Sequence, residues 1–165
     1  ARVRSVAIIG SFRRHNDPIQ KACADLRAAG LRVTSPQGDV IVNHGDEFVR
    51  FRQDDINRTN AEIQLVALHR IFGADVTYVV APGGYVGKTT CYEIGRLVQA
   101  QRPIYFSEHP EDLPVEIPPG LIMPLEEFIS NIANPEWVLK WAFDSGDTAC
   151  CVMERELIEG DLRNE

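Results

Sequence analysis

The chain has 165 residues, the size of one average globular domain. Hydrophobic residues make up 44% and charged residues 25% of it, a composition that excludes disordered, collagen-like and coiled-coil proteins. Its net charge of −7 disfavours binding to nucleic acid or to an anionic membrane surface. Its longest apolar segments, such as residues 75–81 and 120–125, are far shorter than the roughly 20 residues of a membrane-spanning helix. We therefore expect no nucleic-acid and no membrane partner.

Charge and cysteine content narrow the class of protein further. Residues 1–35 carry seven Arg and Lys residues against two Asp, and this excess of positive charge is compatible with a small anionic ligand at that end. Residues 144–165 carry seven Asp and Glu residues against two Arg, and we expect them to form an acidic tail with a helical stretch behind a single domain at 1–143. The cysteines are too few for a disulfide framework and have no metal-site spacing, so we expect reduced thiols, a cytoplasmic location and no metal. We also expect no cofactor.

Hydrophobic periodicity predicts alternating strands and helices. The first strand is expected over 3–10, where a β-branched run ends at Gly10. Asp17 and Pro18 then suit the cap and the first position of a helix. The further predicted elements are the rest of that helix to residue 29, a strand at 31–36, a helix at 54–72, a strand at 75–82, a helix at 89–101, a strand at 102–108, a short strand at 121–124, and helices at 125–133 and 135–143.

This alternation predicts an α/β fold, a small doubly wound (flavodoxin/Rossmann-like) parallel sheet of four to five strands with helices on both faces. In such sheets ligands bind outside the carboxyl ends of the strands, where the strand order reverses. We therefore expect the functional residues in three loops, at 10–17, 36–55 and 82–93.

The loop after the third predicted strand, PGGYVGKTTCYEIG, carries the strongest signal. Three glycines in it allow backbone N–H groups to approach a ligand: Gly83, Gly84 and Gly87. A helix expected to begin at Thr89 or Thr90 directs its positive dipole end at the same place, which suits an anion or a hydroxyl-rich sugar. The GKTT run is similar to a nucleotide-binding P-loop, but Pro82 stands where that motif requires glycine, so an ATPase is disfavoured.

Glu93 has two interpretations. Thr90-x-x-Glu93 matches a capping box, in which the carboxylate only accepts a backbone N–H, and spacing alone favours this interpretation. Alternatively, a carboxylate beside a glycine loop can act as a nucleophile or bind ribose hydroxyls. Cys91 lies two residues before it. No histidine stands at a position that indicates a Cys-His catalytic pair, so a packed thiol is expected there.

Residues 74–107, ADVTYVVAPGGYVGKTTCYEIGRLVQAQRPIYFS, together with GSFRR at 10–14, resemble the nucleoside 2-deoxyribosyltransferase-like superfamily. This superfamily includes nucleoside 5′-monophosphate N-glycosidases, which hydrolyse the bond between base and sugar. The resemblance covers roughly residues 3–108. Its most specific part is the pattern G-Y-[IV]-G-x-[ST]-T-x-x-E-I at residues 84–94.

The resemblance implies that Glu93 is the catalytic glutamate, which attacks the anomeric carbon of a nucleoside or nucleotide. It also implies that two loops hold the sugar or its 5′-phosphate. The matching residues are Gly10, Ser11 and Arg13 in the first loop and Gly87, Thr89 and Thr90 in the second, and we add their neighbours Phe12, Gly83 and Gly84. Family members tend to form dimers or larger homo-oligomers, so the helix expected around Trp137 and Trp141 is a candidate interface or a core-facing stripe.

A second group must help the base to leave. The loop candidates are Asp46, Asp54, Asp55, Tyr85 and His44, of which we favour Asp55 and Tyr85 as catalytic residues. Relatives often carry acidic residues where this chain has Ala67 and Tyr85, so we expect hydrolysis to dominate over transfer to another base.

Two other functions fit the same loops. One is a non-catalytic domain that binds a nucleotide as a sensor. The other is a phosphoribohydrolase of the P-G-G-x-G-T-x-x-E type associated with cytokinin activation, from which this chain departs by the inserted Val86 and by the position of Glu93 six residues after Gly87.

Overall fold

The computed structural model describes residues 2–162 and shows the expected α/β fold, built on a four-stranded parallel sheet. The strands are β1 (Ser5–Gly10), β2 (Arg32–Ser35), β3 (Val76–Val80) and β4 (Ile104–Phe106), in the order β2-β1-β3-β4. Every residue of β1, β3 and β4 is buried. These strands therefore read as continuous β-branched and aromatic runs, as strands covered on both faces do.

In the described part of the chain, five α-helices complete the fold: α1 (Phe12–Ala28), α2 (Asn60–Phe72), α3 (Lys88–Gln99), α4 (Leu125–Ala133) and α5 (Ala149–Glu159). Right-handed crossovers place α1 on one face of the sheet and α2 and α3 on the other. The chain passes from β1 to β2 at one edge of the sheet and then returns past β1 to β3 on its other side. The strand order therefore reverses between β1 and β3. The loops that follow these two strands meet at this reversal, where doubly wound sheets bind ligands.

The first helix begins earlier than predicted. The side chain of Ser11, not of Asp17, caps α1, because its hydroxyl accepts the backbone N–H of Arg14 at 3.3 Å. Pro18 lies inside the helix and is accommodated because the backbone is non-helical at His15, so a new first turn starts there. The loop after β1 is consequently one residue long, and the helix begins directly at the edge of the sheet.

The second and third helices also begin away from their predicted starts. The second helix was expected from residue 54 and begins at Asn60, because Thr59 and Glu62 form a reciprocal capping box with N···O distances of 2.7 and 3.2 Å. The third helix begins at Lys88 after Gly87, whose φ of +80° requires the left-handed region that favours glycine. Thr90 therefore lies in the first turn of α3 and does not cap it.

The C-terminal third differs most from the expectation. Residues 121–124 do not form a fifth strand and contribute only one parallel bridge, between Phe106 and Ile122. Residues 135–143 are not helical. The Trp137 ring instead packs on Tyr105, with ring centroids 5.1 Å apart. This tertiary packing determines the conformation of the segment, which does not form helical hydrogen bonds.

Both tryptophans are held by this chain's own residues. The Trp141 indole N–H donates to the backbone oxygen of Val98 at 2.9 Å, and its ring meets Phe143 edge-on. A role in an oligomer interface stays a prediction. In the acidic tail, α5 packs its buried Cys151 against the core, and the proposed boundary after residue 143 also stays a prediction. Within the described part of the chain, no helix has both the length and the apolarity needed to cross a bilayer.

Phe128 gives a test of the core on the α4 side. Its fully buried ring stacks on Tyr78 with centroids 4.6 Å apart. Phe128→Ala removes this packing and leaves a cavity, so we expect it to lower the free energy of unfolding by about 3–5 kcal/mol in urea denaturation. Val138→Ala, at a side chain that is 64% exposed, is the control and should change it by less than about 0.5 kcal/mol. A loss below about 1 kcal/mol for Phe128→Ala would contradict this packing.

Candidate active site

A cavity of about 220 Å³ opens at the strand-order reversal. Its walls come from the loops after β1 and β2, from one face of α2, and from the start of α3. Typical pockets for drug-sized ligands measure about 300–1,000 Å³. The cavity therefore suits a small molecule, with apolar walls and a few polar groups.

Glu93 is the buried polar group of this cavity. It lies one and a half turns into α3 and is only 6% exposed. Its Oε2 accepts a hydrogen bond from Nε2 of Gln64 on α2 at 3.0 Å. Burial away from water disfavours the charged form and raises the pKa of Glu93 to about 7, against the opposing effect of the Gln64 hydrogen bond. The carboxyl does not cap α3, and its charge changes near neutral pH.

Two helix starts adjoin at the cavity. A Cβ atom built on Gly87, the residue before α3, would lie 3.8 Å from Cβ of Ser11, the residue before α1. Neither helix has an acidic residue in its first turn, whereas α2 has Glu62 there and α4 has two glutamates. No carboxylate in the first turn of α1 or α3 therefore neutralises the N–H groups and the positive dipole end of that helix. An anion site requires such unneutralised helix starts.

Basic side chains surround these helix starts. Arg13 lines the cavity. The neighbouring Arg14 is already engaged, with its guanidinium 3.9 Å from the centre of the Tyr85 ring. At the rim, Nζ of Lys88 lies 2.6 Å from Oε1 of Glu47, and this pair, with a smaller contribution from Arg13, lowers the pKa of Glu47. Among the cations at these helix starts, Arg13 is thus the best placed to meet a ligand.

The structure brings most of the predicted site residues together around this cavity. They are Gly10, Ser11, Phe12, Arg13, Tyr85, Gly87, Thr89, Thr90 and Glu93. Gly83 and Gly84 do not line it. The N–H of Gly83 donates to Glu108 at 3.0 Å, and a Cβ on Gly84 would lie 2.4 Å from Cγ of Glu111. These two glycines allow the loop to pack closely against residues 108–111.

The loop residues proposed to help the base leave also fall into two groups, inside and outside the cavity lining. Asp55 lies outside the cavity lining, where its carboxylate accepts the N–H of Asn57 at 2.9 Å and lies 3.9 Å from Arg58. Its neighbour Asp54 lines the cavity and accepts the N–H of Phe51 at 2.7 Å. His44 and Asp46 are also outside this lining.

Apart from Ala67, sequence reasoning missed the wall that α2 provides. Ile63, Gln64, Ala67, Arg70 and Ile71 all line the cavity. Their spacing of three and four residues is one face of a helix and is the signal that could have found them. Phe48 and Phe51, from the loop after β2, form an apolar wall that no motif marked.

The raised pKa of Glu93 gives a stability test. The folded protein binds this proton more tightly than the unfolded chain, whose pKa is near 4.5. The contribution of the protonated carboxyl to the free energy of unfolding is therefore fully present below about pH 4.5 and is lost as the pH rises through about 7. Glu93→Gln keeps an oxygen for Gln64 and carries no charge. We expect it to be more stable than wild type at pH 8 by up to about 3 kcal/mol, and about equal at pH 4.

Urea denaturation at several pH values measures this difference. Glu136→Gln, at an exposed loop position, is the control and should track the wild type throughout. A Glu93→Gln variant that is less stable than wild type at pH 8 would mean that the ionised carboxylate stabilises the fold.

Comparison of the chain with protein-family models, with curated proteins and with solved structures finds no match. Among residues 2–162, no group of three or more His, Cys, Asp and Glu side chains could hold a metal ion. What the site does must therefore be inferred from the cavity itself and from the motif that forms it.

Proposed function

We propose that this protein cleaves the bond between base and sugar in a nucleoside or a nucleoside 5′-monophosphate, with Glu93 as the nucleophile. The observation that carries the proposal is a buried carboxyl at the wall of a small cavity, next to two helix starts that can bind an anion. The resemblance of residues 84–94 to nucleoside 2-deoxyribosyltransferase-like enzymes supports the same chemistry.

In the proposed reaction, the ionised Glu93 carboxylate attacks the anomeric carbon as the bond from that carbon to the base nitrogen breaks. The bonding electrons leave with the base, which takes up a proton, and a glycosyl ester of Glu93 remains. Water then attacks the same carbon, which frees the sugar or sugar phosphate and restores the carboxylate. Nucleotide and water thus give free base and sugar phosphate, with retention at the anomeric carbon.

The departing base needs a proton or a hydrogen bond. Three acidic side chains line the cavity: Glu47, Asp54 and Glu93. Glu47 is paired with Lys88, and Glu93 is the proposed nucleophile. We therefore assign the leaving-group role to Asp54, acting directly or through one water. Tyr85, the other candidate, has its hydroxyl beside Gly87 at the helix starts, which favours contact with the sugar or phosphate.

Turnover of a panel of nucleosides and 5′-monophosphates, analysed by liquid chromatography, tests the proposal. We expect free base to appear with wild-type protein and not with Glu93→Gln, because an amide cannot supply the nucleophile. The value of kcat/KM should rise with pH through about 7, as Glu93 ionises. Intact-mass spectrometry of quenched wild-type protein should show one added sugar mass.

Glu136→Gln serves again as the control with unchanged activity. A Glu93→Gln variant with near wild-type turnover would remove the nucleophile from the proposal. Tight nucleotide binding without release of any base would instead favour a sensor domain.

Arg13 tests whether the helix starts bind phosphate. We expect a 5′-monophosphate to bind more tightly than its nucleoside by about ten- to a hundredfold, since a charge-assisted hydrogen bond contributes about 1.5–3 kcal/mol. Arg13→Ala should remove most of this difference in calorimetric titration, whereas Arg27→Ala, on the exposed side of α1, should not. Equal affinity of wild type for both ligands would place the phosphate elsewhere.

A further inference from the structure

The inner wall of the cavity is a stripe along α2 formed by Gln64, Ala67 and Arg70. Gln64 holds Glu93, so this stripe begins where the sugar would react. At a rise of about 1.5 Å per residue, Cα of Arg70 lies about 9 Å further along the helix than Cα of Gln64. The stripe therefore leads from the proposed reacting carbon into the end of the cavity away from the α3 start.

Arg70 is a half-buried arginine whose donors are open. Its guanidinium carries five N–H donors, and it makes no hydrogen bond, ion pair or ring contact with any residue among 2–162. Two arginines elsewhere in the fold are engaged. Arg102 donates to the backbone oxygens of Phe72 and Ala74 at 2.9 and 2.8 Å, and Arg155 donates to that of Phe143 at 2.9 Å. A guanidinium without a protein partner at a cavity wall suits a ligand with hydrogen-bond acceptors.

The helix geometry directs Arg70 towards the reacting end. Side chains of a helix tilt towards its N-terminus, so the long side chain of Arg70 covers the turn that contains Ala67. Because the side chain of Ala67 is a single methyl group, it leaves space in the cavity beside that turn. A planar group attached to a sugar at Glu93 would lie along this turn, with Ile63 and Phe51 as apolar contacts for its faces.

We propose that Arg70 recognises the base, and that the preferred base is a 6-oxopurine; this inference rests on the proposed function. A planar guanidinium pairs in bidentate fashion with two adjacent acceptors, and the N7 and O6 atoms of a 6-oxopurine are such a pair. A 6-aminopurine presents a donor in place of O6, which leaves one guanidinium donor facing another donor. Pyrimidines lack the adjacent pair of ring and exocyclic acceptors on that edge.

Inosine and adenosine 5′-monophosphates, which differ at the 6-position, test the assignment, with the 2′-deoxy forms in parallel. A good bidentate contact discriminates by about 1–3 kcal/mol, so we expect kcat/KM of the wild type to favour the inosine form by about 5- to 150-fold. Arg70→Leu should bring this ratio close to one, mainly by loss of activity on the inosine form. Arg96→Leu, on the exposed side of α3, is the matched control and should keep the wild-type ratio.

Calorimetric titration of the same ligands in a Glu93→Gln background separates base recognition from chemistry, and Arg70→Gln replaces Arg70→Leu if the latter does not fold. An unchanged inosine-to-adenosine ratio in both Arg70 variants, in a protein that does release bases, would overturn this inference and leave the proposed function standing. A wild-type protein that neither binds nor cleaves any nucleotide would overturn the proposed function itself.

Discussion

The structure of the site depends on the burial of one carboxyl group. Glu93 is removed from water at the contact between α2 and α3, and one amide, that of Gln64, meets it there. Burying an ionised carboxylate is costly unless it is paired, and no cation contacts this one in the described residues. The surrounding fold must therefore supply the stability that this buried carboxyl does not.

Close approach of two strands places the helix starts around that carboxyl. Any Cβ on Gly10 would lie 2.6 Å from the backbone oxygen of Val80, so only glycine allows β1 and β3 to end side by side. Because only Ser11 separates β1 from α1, the first turn of α1 is held against the loop that precedes α3. One glycine at the strand-order reversal thus determines whether two positive helix ends adjoin or stand apart.

The sequence allowed the sheet and the glycine loop to be predicted, because both depend on local signals. Buried parallel strands are continuous apolar runs, and the loop before Glu93 has a specific spacing. The helix expected at 135–143 failed because tertiary packing of Trp137 outweighs a helical pattern over so few residues. Gln64 and Arg70 were missed because on a helix they resemble ordinary surface residues, and only the position of α2 turns them inward.

Charge along the cavity links binding to chemistry in the proposed reaction. Arg13 and the helix starts make one end electropositive, Arg70 lines the inner wall, and the carboxyl between them is neutral below a pH of about 7. A neutral carboxyl does not repel an anionic ligand, so binding favours the protonated form, whereas attack requires the ionised form. By linkage, a bound phosphate raises the pKa of Glu93, so in the proposed reaction a phosphorylated substrate moves the ionisation of its own nucleophile to higher pH.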